Sequence, residues 1–471
     1  MAELEEVLAE ASLLVEPDEA ERLLVSRVAE RLLESCRERF LKKGGVLDVS
    51  IEGSVAKDTW VRGRGEVDVF IHFSKETGRD VLESTVLNLG REVIEGMGGR
   101  SWLRYASHPY IEGEVDGVRV NIVGCFKVTH GRWMSPVDRT PFHTAFVKSK
   151  LTSELRRETR LFKGFLIGNG LYGAEIKTEG FSGYLSELLV IRHDGFVNLL
   201  RSASEWKLPV FIDLTEAVKR DEALRLFPNA PIIFTDPVDP SRNVAAAVSL
   251  TKLAELMLAA KLFIESPSLD YFKPPSRERR DLAEVDLGSR CLLGVLFRVE
   301  KPSPPDIFWG EIKHTMRGIS RRLEKEGFHV YRSAAAQSGE ETLMVFELSS
   351  LRLPEAELRV GPPVWTGNAL DFVRKSLRRG DRISGPWVDG ERLYALLRRR
   401  AQDADELLKE WIKGRQVAVS SQLLDSLRKA EILTSEKGLV ERLDGREEFI
   451  MFLEEFLDGV STPIKHFREA E

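Results

Sequence analysis

Glu66-Val67-Asp68 is the tripeptide of this chain best suited to chemistry. In a strand, side chains at i and i+2 share a face, roughly 6.6 Å apart along the chain. Glu66 and Asp68 then project together, while Val67, Val69 and Ile71 pack the other way. Two such carboxylates repel unless something cationic sits between them. Mg²⁺ bound to substrate phosphates meets that need, since it takes one or two protein carboxylates. Upstream, Gly53-Ser54 offers a polyphosphate the backbone N–H groups and hydroxyl of a turn, and glycine lets the chain approach a ligand closely. An E-x-D pair alone describes no more than a polar strand face. A Gly-Ser turn, eleven residues and then E-x-D on an alternating strand describe a nucleotidyl-transfer site.

The elements that must position these groups are readable around them. Leu24, Val28, Leu32 and Cys36 recur at i+4, which predicts a helix over 17–43 with Asp18 as its N-cap and Gly44-Gly45 as its stop. Residues 46–52 alternate and predict a half-buried strand. Residues 66–73 and 117–128 predict two more, the last after an Asp116-Gly117 hairpin signal. Together they suggest an α/β catalytic domain over 1–148. From 149 to 275 the pattern turns mainly helical, as at 152–169 and 249–263, and the Pro-rich, charged stretch 266–282 reads as a linker. Over 276–471, strands such as 291–300 and 342–349 alternate with helices at 309–326 and 402–414. The expected class is a multi-domain α+β protein: a mixed-sheet head, a helical neck, and an α+β body and tail.

The composition bounds the function. The chain has 471 residues, 42% hydrophobic and 31% charged, an ordinary globular balance. No run approaches the ~18 apolar residues of a membrane span, and the acidic start MAELEEVLAE is no secretory signal. Cys36, Cys125 and Cys291 are too scattered for a disulfide framework or a zinc cluster, and read as small buried hydrophobes in a reducing cytoplasm. The net charge of −6 argues against a nucleic-acid partner only when taken globally. Locally, 374–400 holds nine Lys or Arg against three Asp or Glu, with Trp387 and Tyr394 interleaved. Cations with aromatics suit an RNA backbone and an end base pair, and place Arg374, Lys375, Arg378, Arg379, Arg382, Arg398 and Arg399 on a candidate RNA-binding surface.

A colinear series of blocks carries the reading further: GSVAKDTW at 53–60, EVDVF at 66–70, HPY at 108–110, VDRTPFH at 137–143, LFKGFL at 161–166, LYGAE at 171–175, GFSGYLSELL at 180–189, DPVDPSRNVAA at 236–246, PSLDYFKP at 267–274 and YRSA at 331–334. In these the chain resembles the archaeal-type (class I) CCA-adding enzymes, tRNA nucleotidyltransferases of the DNA-polymerase-β-like superfamily. The resemblance implies addition of C, C and A to the tRNA 3′ end from CTP and ATP, without a nucleic-acid template and with loss of pyrophosphate. It implies that Glu66 and Asp68 hold Mg²⁺ with a third carboxylate, and that Gly53, Ser54, Lys57, His108, His143, Lys163 and Tyr172 surround the nucleotide. It also implies that Arg242 offers its planar donor fork to the incoming base, that the body and tail grip the acceptor and T arms, and that a homodimer is open to the chain. A small-molecule nucleotidyltransferase would not need the C-terminal third. A poly(A) polymerase would discriminate against CTP.

Three positions depart from the family pattern. The third carboxylate falls at Asn121, which carries no charge and accepts no proton at neutral pH. The residue before Cys125 is Gly124 where the family has Pro, and Lys57 stands where it has Arg. Glu114 and Asp116 are near enough in sequence to substitute. An active enzyme with a compensating ligand, a weakened paralogue and a tRNA-binding pseudoenzyme are all compatible with that pattern.

Overall fold

The computed structural model describes residues 2–104, 110–274, 287, 290–300 and 303–467. The chain divides into two compact units, Met1–Arg277 with Val460–Glu471, and Glu278–Gly459.

The first unit opens with α1 (Ala2–Val15) and α2 (Glu19–Phe40). Asp18 caps α2 by accepting from the Glu21 amide, as the sequence predicts. Then come β1 (Val46–Glu52), α3 (Gly53–Lys57), β2 (Glu66–Phe73), α4 (Arg79–Gly96), β3 (Arg100–Arg104), β4 (Tyr110–Val115) and β5 (Val118–Phe126). The five strands form one sheet in the order β1-β2-β5-β4-β3, antiparallel except for the central β2–β5 pair. Val67, Val69, Ile71, Val120 and Ile122 are buried on one face, against Val28, Leu32 and Cys36 of α2 and Leu82 and Val86 of α4. Gly124 belongs to this packing: a Cβ there would stand 2.6 Å from Leu82 Cδ2, so the missing proline makes room for α4. Burial raises the thiols of Cys36, to about 12, and Cys125, in keeping with inert small hydrophobes.

The helical part follows with α5 (Thr140–Lys150), α6 (Ser153–Gly168), α7 (Gly183–His193), α8 (Phe196–Ser204), the short parallel pair β6 (Val210–Ile212) and β7 (Ile232–Phe234), α9 (Arg220–Leu226) and α10 (Leu250–Glu265). One large core joins them, and Ala11 and Val15 of α1 pack into it. The N-terminal helix thus serves the helical core rather than the sheet. The expected linker 266–282 is also partly core. Tyr271 and Phe272 are buried there, and Gly168 is needed because a Cβ would lie 2.2 Å from the Tyr271 carbonyl. The rest of that stretch, from 275, lies outside the described residues.

In the second unit, β8 (Cys291–Arg298), β9 (Val330–Ser338), β10 (Glu341–Leu348) and β14 (Glu431–Thr434) form an antiparallel sheet in the order β14-β8-β10-β9. Its alternating residues feed two cores, one with α11 (Pro305–Glu326) and one with the helices at 439–457. A separate sheet, β11-β13-β12, is built from β11 (Ala356–Pro363), β12 (Arg382–Asp389) and β13 (Arg392–Arg398), with α12 (Ala369–Arg378) beside it. The helix expected at 402–414 is α13 (Ala404–Lys413). Among the described residues no helix is long and apolar enough to cross a membrane.

Candidate active site

The polar face of the five-stranded sheet carries the acidic groups. β2 and β5 run parallel with Asp68 opposite Asn121, so the two side chains emerge on the same face. Asn121 Nδ2 donates to Glu66 Oε1 at 2.8 Å and to Asp68 Oδ1 at 2.9 Å. The amide bridges the two carboxylates where a cation would otherwise neutralise them. It leaves Asn121 Oδ1 buried and without a partner, which is costly for a polar atom. Burial, followed by the Glu66 charge, pushes the Asp68 carboxyl up to about 7. Every donor here is an oxygen or becomes one when the amide turns, and such donors fit a hard divalent cation. Among the described residues no three His, Cys, Asp or Glu side chains converge on one point as a metal site would need: position 121 is an amide, and the next acid in the row, Glu112, is turned to Arg104.

This arrangement has a pH signature. The folded chain keeps the Asp68 proton to about pH 7, whereas an unfolded Asp releases it near 4. Between these values the folded state binds the extra proton, so cation-free stability falls as pH rises through the window. Thermal melts in a chelator are expected to show that fall, and an Asp68→Asn variant is expected to lack it.

The expected Gly-Ser turn is the short helix α3. Gly53 has φ +73°, and a Cβ there would sit 2.0 Å from Asp68 Oδ2, so only glycine admits the carboxylate. The Ser54 side chain makes no hydrogen bond among the described residues. Lys57, at the end of α3, is buried and donates to Glu187 Oε2 at 2.6 Å. Lys163 on α6 is fully buried and donates to Glu187 Oε1 at 2.9 Å and to the Thr59 carbonyl and hydroxyl at 3.1 Å. Thr59 Oγ1 in turn donates to Glu187 Oε1 at 2.6 Å. Burial would raise the Glu187 carboxyl, but Lys163 and Lys57 overcome it and hold the group below the usual carboxylate range. The two lysines expected to meet phosphate therefore share one buried carboxylate, which the sequence reading did not single out.

The contacts continue from there. Tyr172, its hydroxyl held up to about 12 by burial and then by Glu187, lies against Gly183, where a Cβ would be 2.9 Å from the Tyr172 hydroxyl. Tyr184 lies 5.9 Å from Lys57 Nζ, ring centroid to nitrogen, and stacks on His143 with centroids 4.1 Å apart. His143 Nε2 donates to Asp236 Oδ2 at 2.9 Å, and Tyr184 donates to Asp236 Oδ1 at 3.2 Å. Arg242 Nη1 reaches Asp236 at 3.6 Å with its side chain 46% exposed, while Arg139 pairs with Asp239 at 2.6 Å. His143, Lys163, Tyr172 and Arg242 are thus joined to Lys57 in one network of contacts through Glu187, Gly183, Tyr184 and Asp236. His108 lies outside the described residues. Neither sequence neighbour of Asn121 substitutes for it: Asp116 pairs with Arg31 at 2.7 Å in the hairpin turn, and Glu114 is exposed, with Arg119 between it and Glu66 in the strand register.

The basic segment of the second unit is less bare in space than along the chain. Arg379 forks onto Asp381 at 2.7 and 2.8 Å, Arg398 pairs with Glu355 at 2.6 Å, and Arg374 lies 3.8 Å from Asp371. Arg399 is largely covered, bound to the Glu326 carbonyl and near Glu357. Arg382 donates to the Gly385 carbonyl. Lys375 and Arg378 are exposed on α12 and have no acidic partner among the described residues. Trp387 stacks on Tyr394 at 5.9 Å across β12 and β13.

Three family models match in succession: nucleotidyltransferase domain over residues 29–143, tRNA nucleotidyltransferase second domain over 157–273, and CCA-adding enzyme C-terminal domain over 289–435. The CCA-adding enzyme of Pyrobaculum islandicum is 37% identical over 88% of this chain and 94% of its own length. The chain belongs to the CCA-adding enzyme family. The Saccharolobus solfataricus CCA-adding enzyme is likewise 37% identical, over 81% of this chain and 87% of its own. Membership makes the chain a nucleotidyltransferase of tRNA processing, with tRNA and nucleoside triphosphates as substrates. A poly(U) polymerase structure covers 57% of this chain and 98% of its own, at 13% identity and a TM-score of 0.45.

Proposed function

We propose that this CCA-adding family member extends tRNA at its 3′ end with C, C and A, from CTP and ATP, using Mg²⁺ at Glu66, Asp68 and Asn121. What supports the reading is that α3 joins the carboxylates to the lysines: its first residue, Gly53, lies against Asp68, and its last, Lys57, is bonded through Glu187 to Lys163 and lies beside Tyr184, which stacks on His143. The tRNA 3′-oxygen forms a bond to the nucleotide α-phosphorus, the α–β phosphoanhydride bond breaks, and pyrophosphate leaves. Mg²⁺, when bound, stabilises the attacking and leaving oxygens. The proton of the 3′-hydroxyl needs an acceptor; Asn121 offers none, and the two carboxylates bonded to its amide, Glu66 and Asp68, are the candidates, with Asp68, its carboxyl pushed up to about 7, the more basic. Lys57 and Lys163 exceed Glu187 by one positive charge, which is left for a triphosphate. Arg242 spends one contact on Asp236, and its other donors remain for the edge of a base. Lys375 and Arg378, with the Trp387–Tyr394 stack, suit the acceptor and T arms.

Incubation with tRNA lacking CCA, Mg²⁺ and labelled CTP or ATP tests this. The native chain is expected to incorporate both, and an Asn121→Asp variant to incorporate faster at low Mg²⁺ because it adds an anionic ligand. Without Mg²⁺ the same variant is expected to melt lower, since it loses two hydrogen bonds to carboxylates, each contributing about 1.5–3 kcal/mol, and adds a like charge. tRNA binding with no incorporation by either protein would overturn the enzymatic reading.

A further inference from the structure

The sheet register brings together residues that are far apart in sequence. Glu52 faces Asp68 across β1–β2, Asp68 faces Asn121 across β2–β5, and Asn121 faces Glu112 across β5–β4. Directly opposed residues project from the same face. One row across the sheet therefore reads Glu52, Asp68, Asn121, Glu112. Three of its four members are acids, and the uncharged one sits between two of them.

We propose that Glu112 supplies, from one strand further along, the negative charge that position 121 lacks, and so completes the divalent-cation site with Glu66 and Asp68. This rests on the metal reading of that site given above. Three observations support it. First, Asn121, itself 8% exposed and between Asp68 and Glu112 in the row, has a buried Oδ1 with no donor, an oxygen that a cation or a proton would satisfy. Second, Glu112 is 6% exposed although it is an acid on a polar face, and its charge is met by Arg104, whose guanidinium hydrogen-bonds both of its oxygens. Arg104 is 42% exposed and can turn to solvent, so it is a replaceable counter-ion. Third, Asn121 ties the row together: its amide donates to both Glu66 and Asp68, and Glu112 is its direct partner in the β4–β5 register.

The distance is workable. Adjacent strands lie roughly 4.8 Å apart, so Glu112 stands two spacings, about 9.6 Å, from Asp68 with Asn121 between them, and its carboxylate must leave Arg104 to turn towards the site. Glu is one methylene longer than Asp, and Mg²⁺ usually keeps several waters in its shell, through which a carboxylate can act. Glu114 shares the strand and the face but not the row, and Arg119 lies between it and Glu66. That makes it a matched control.

The test is Mn²⁺ binding to the full-length protein without nucleotide or tRNA, followed by the loss of the free-Mn²⁺ electron paramagnetic resonance signal. Glu112→Gln is expected to weaken binding by about 10- to 100-fold, and Glu114→Gln to leave it unchanged. Adding Asn121→Asp to Glu112→Gln is expected to restore affinity. Arg104→Gln is expected to tighten binding a few-fold, because it removes a competing cation; a merely structural Arg104–Glu112 pair would not move affinity in that direction. Native-like thermal melts in a chelator establish that each variant is folded, and the Arg104 variant carries the test should Glu112→Gln melt early. Equal Mn²⁺ affinity in the native chain, Glu112→Gln and Arg104→Gln would overturn this inference alone. No Mn²⁺ binding by the native chain would overturn the metal reading as well.

Discussion

Replacing Asp68 by Asn is expected to lower nucleotide incorporation by about 10²- to 10⁴-fold and to leave tRNA binding unchanged. Asp68 lies at the centre of the acidic row, against Gly53, within 2.9 Å of the Asn121 amide and beside Glu66. A metal clamp on the reacting oxygens contributes several kcal/mol, and each 1.4 kcal/mol is a factor of ten in rate. With Asn already at 121, the variant would hold two amides and one carboxylate, Glu66, on the central strands, too little negative charge to hold the cation and take the proton. The fold should tolerate the change. Asn is nearly isosteric with Asp, and it removes the charge that burial penalises, so the cation-free melting temperature is expected to rise slightly. Single-turnover incorporation and filter binding of tRNA separate the two effects. A loss of less than about tenfold would place the chemistry elsewhere.

The carboxylate pair was legible because its signal is local: alternation in EVDVFIHF puts both acids on one face, and the structure buries Val67, Val69 and Ile71 on the other. The helix at Glu19–Phe40 and its Asp18 cap were legible for the same reason. Glu112 was not, because its relation to Asp68 passes through two strand pairings, one parallel, and no spacing along the chain encodes that register. Charge in the basic segment misled in a similar way. Glu355, Glu357 and Asp371 lie outside 374–400 in sequence, yet they stand beside its arginines. Tyr271 and Phe272 sit in a stretch whose Pro content and charge read as a linker, although their aromatic rings complete a core. Glu187 did leave a trace: it is the one carboxylate in the apolar run GFSGYLSELLVI, and an acid in such a run is buried and paired or else destabilising.

Glu187 is the subject of the second large effect. Replacing it by Gln is expected to destabilise the protein by about 3–5 kcal/mol, the cost of breaking a buried ion pair from one side. Its side chain is fully buried and accepts from Lys57, Lys163 and Thr59. Lys163 is 1% exposed and Lys57 7% exposed, so neither ammonium can reach water without rearrangement. Lys163→Met should cost less: it removes the Lys163 bonds to Glu187 and Thr59, but Lys57 and the Thr59 hydroxyl would still hold the carboxylate. Urea unfolding of the three proteins gives the ranking. The variant also tests whether these lysines face the nucleotide. In Glu187→Gln the two ammonium groups lack their anion, and a triphosphate that reaches them would supply one. ATP is therefore expected to raise the unfolding midpoint of Glu187→Gln more than that of the native chain, since a ligand bound only by the folded state stabilises by an amount that grows with the logarithm of its affinity. An equal rise in both would mean that Lys57 and Lys163 hold α3, α6 and α7 together without touching phosphate.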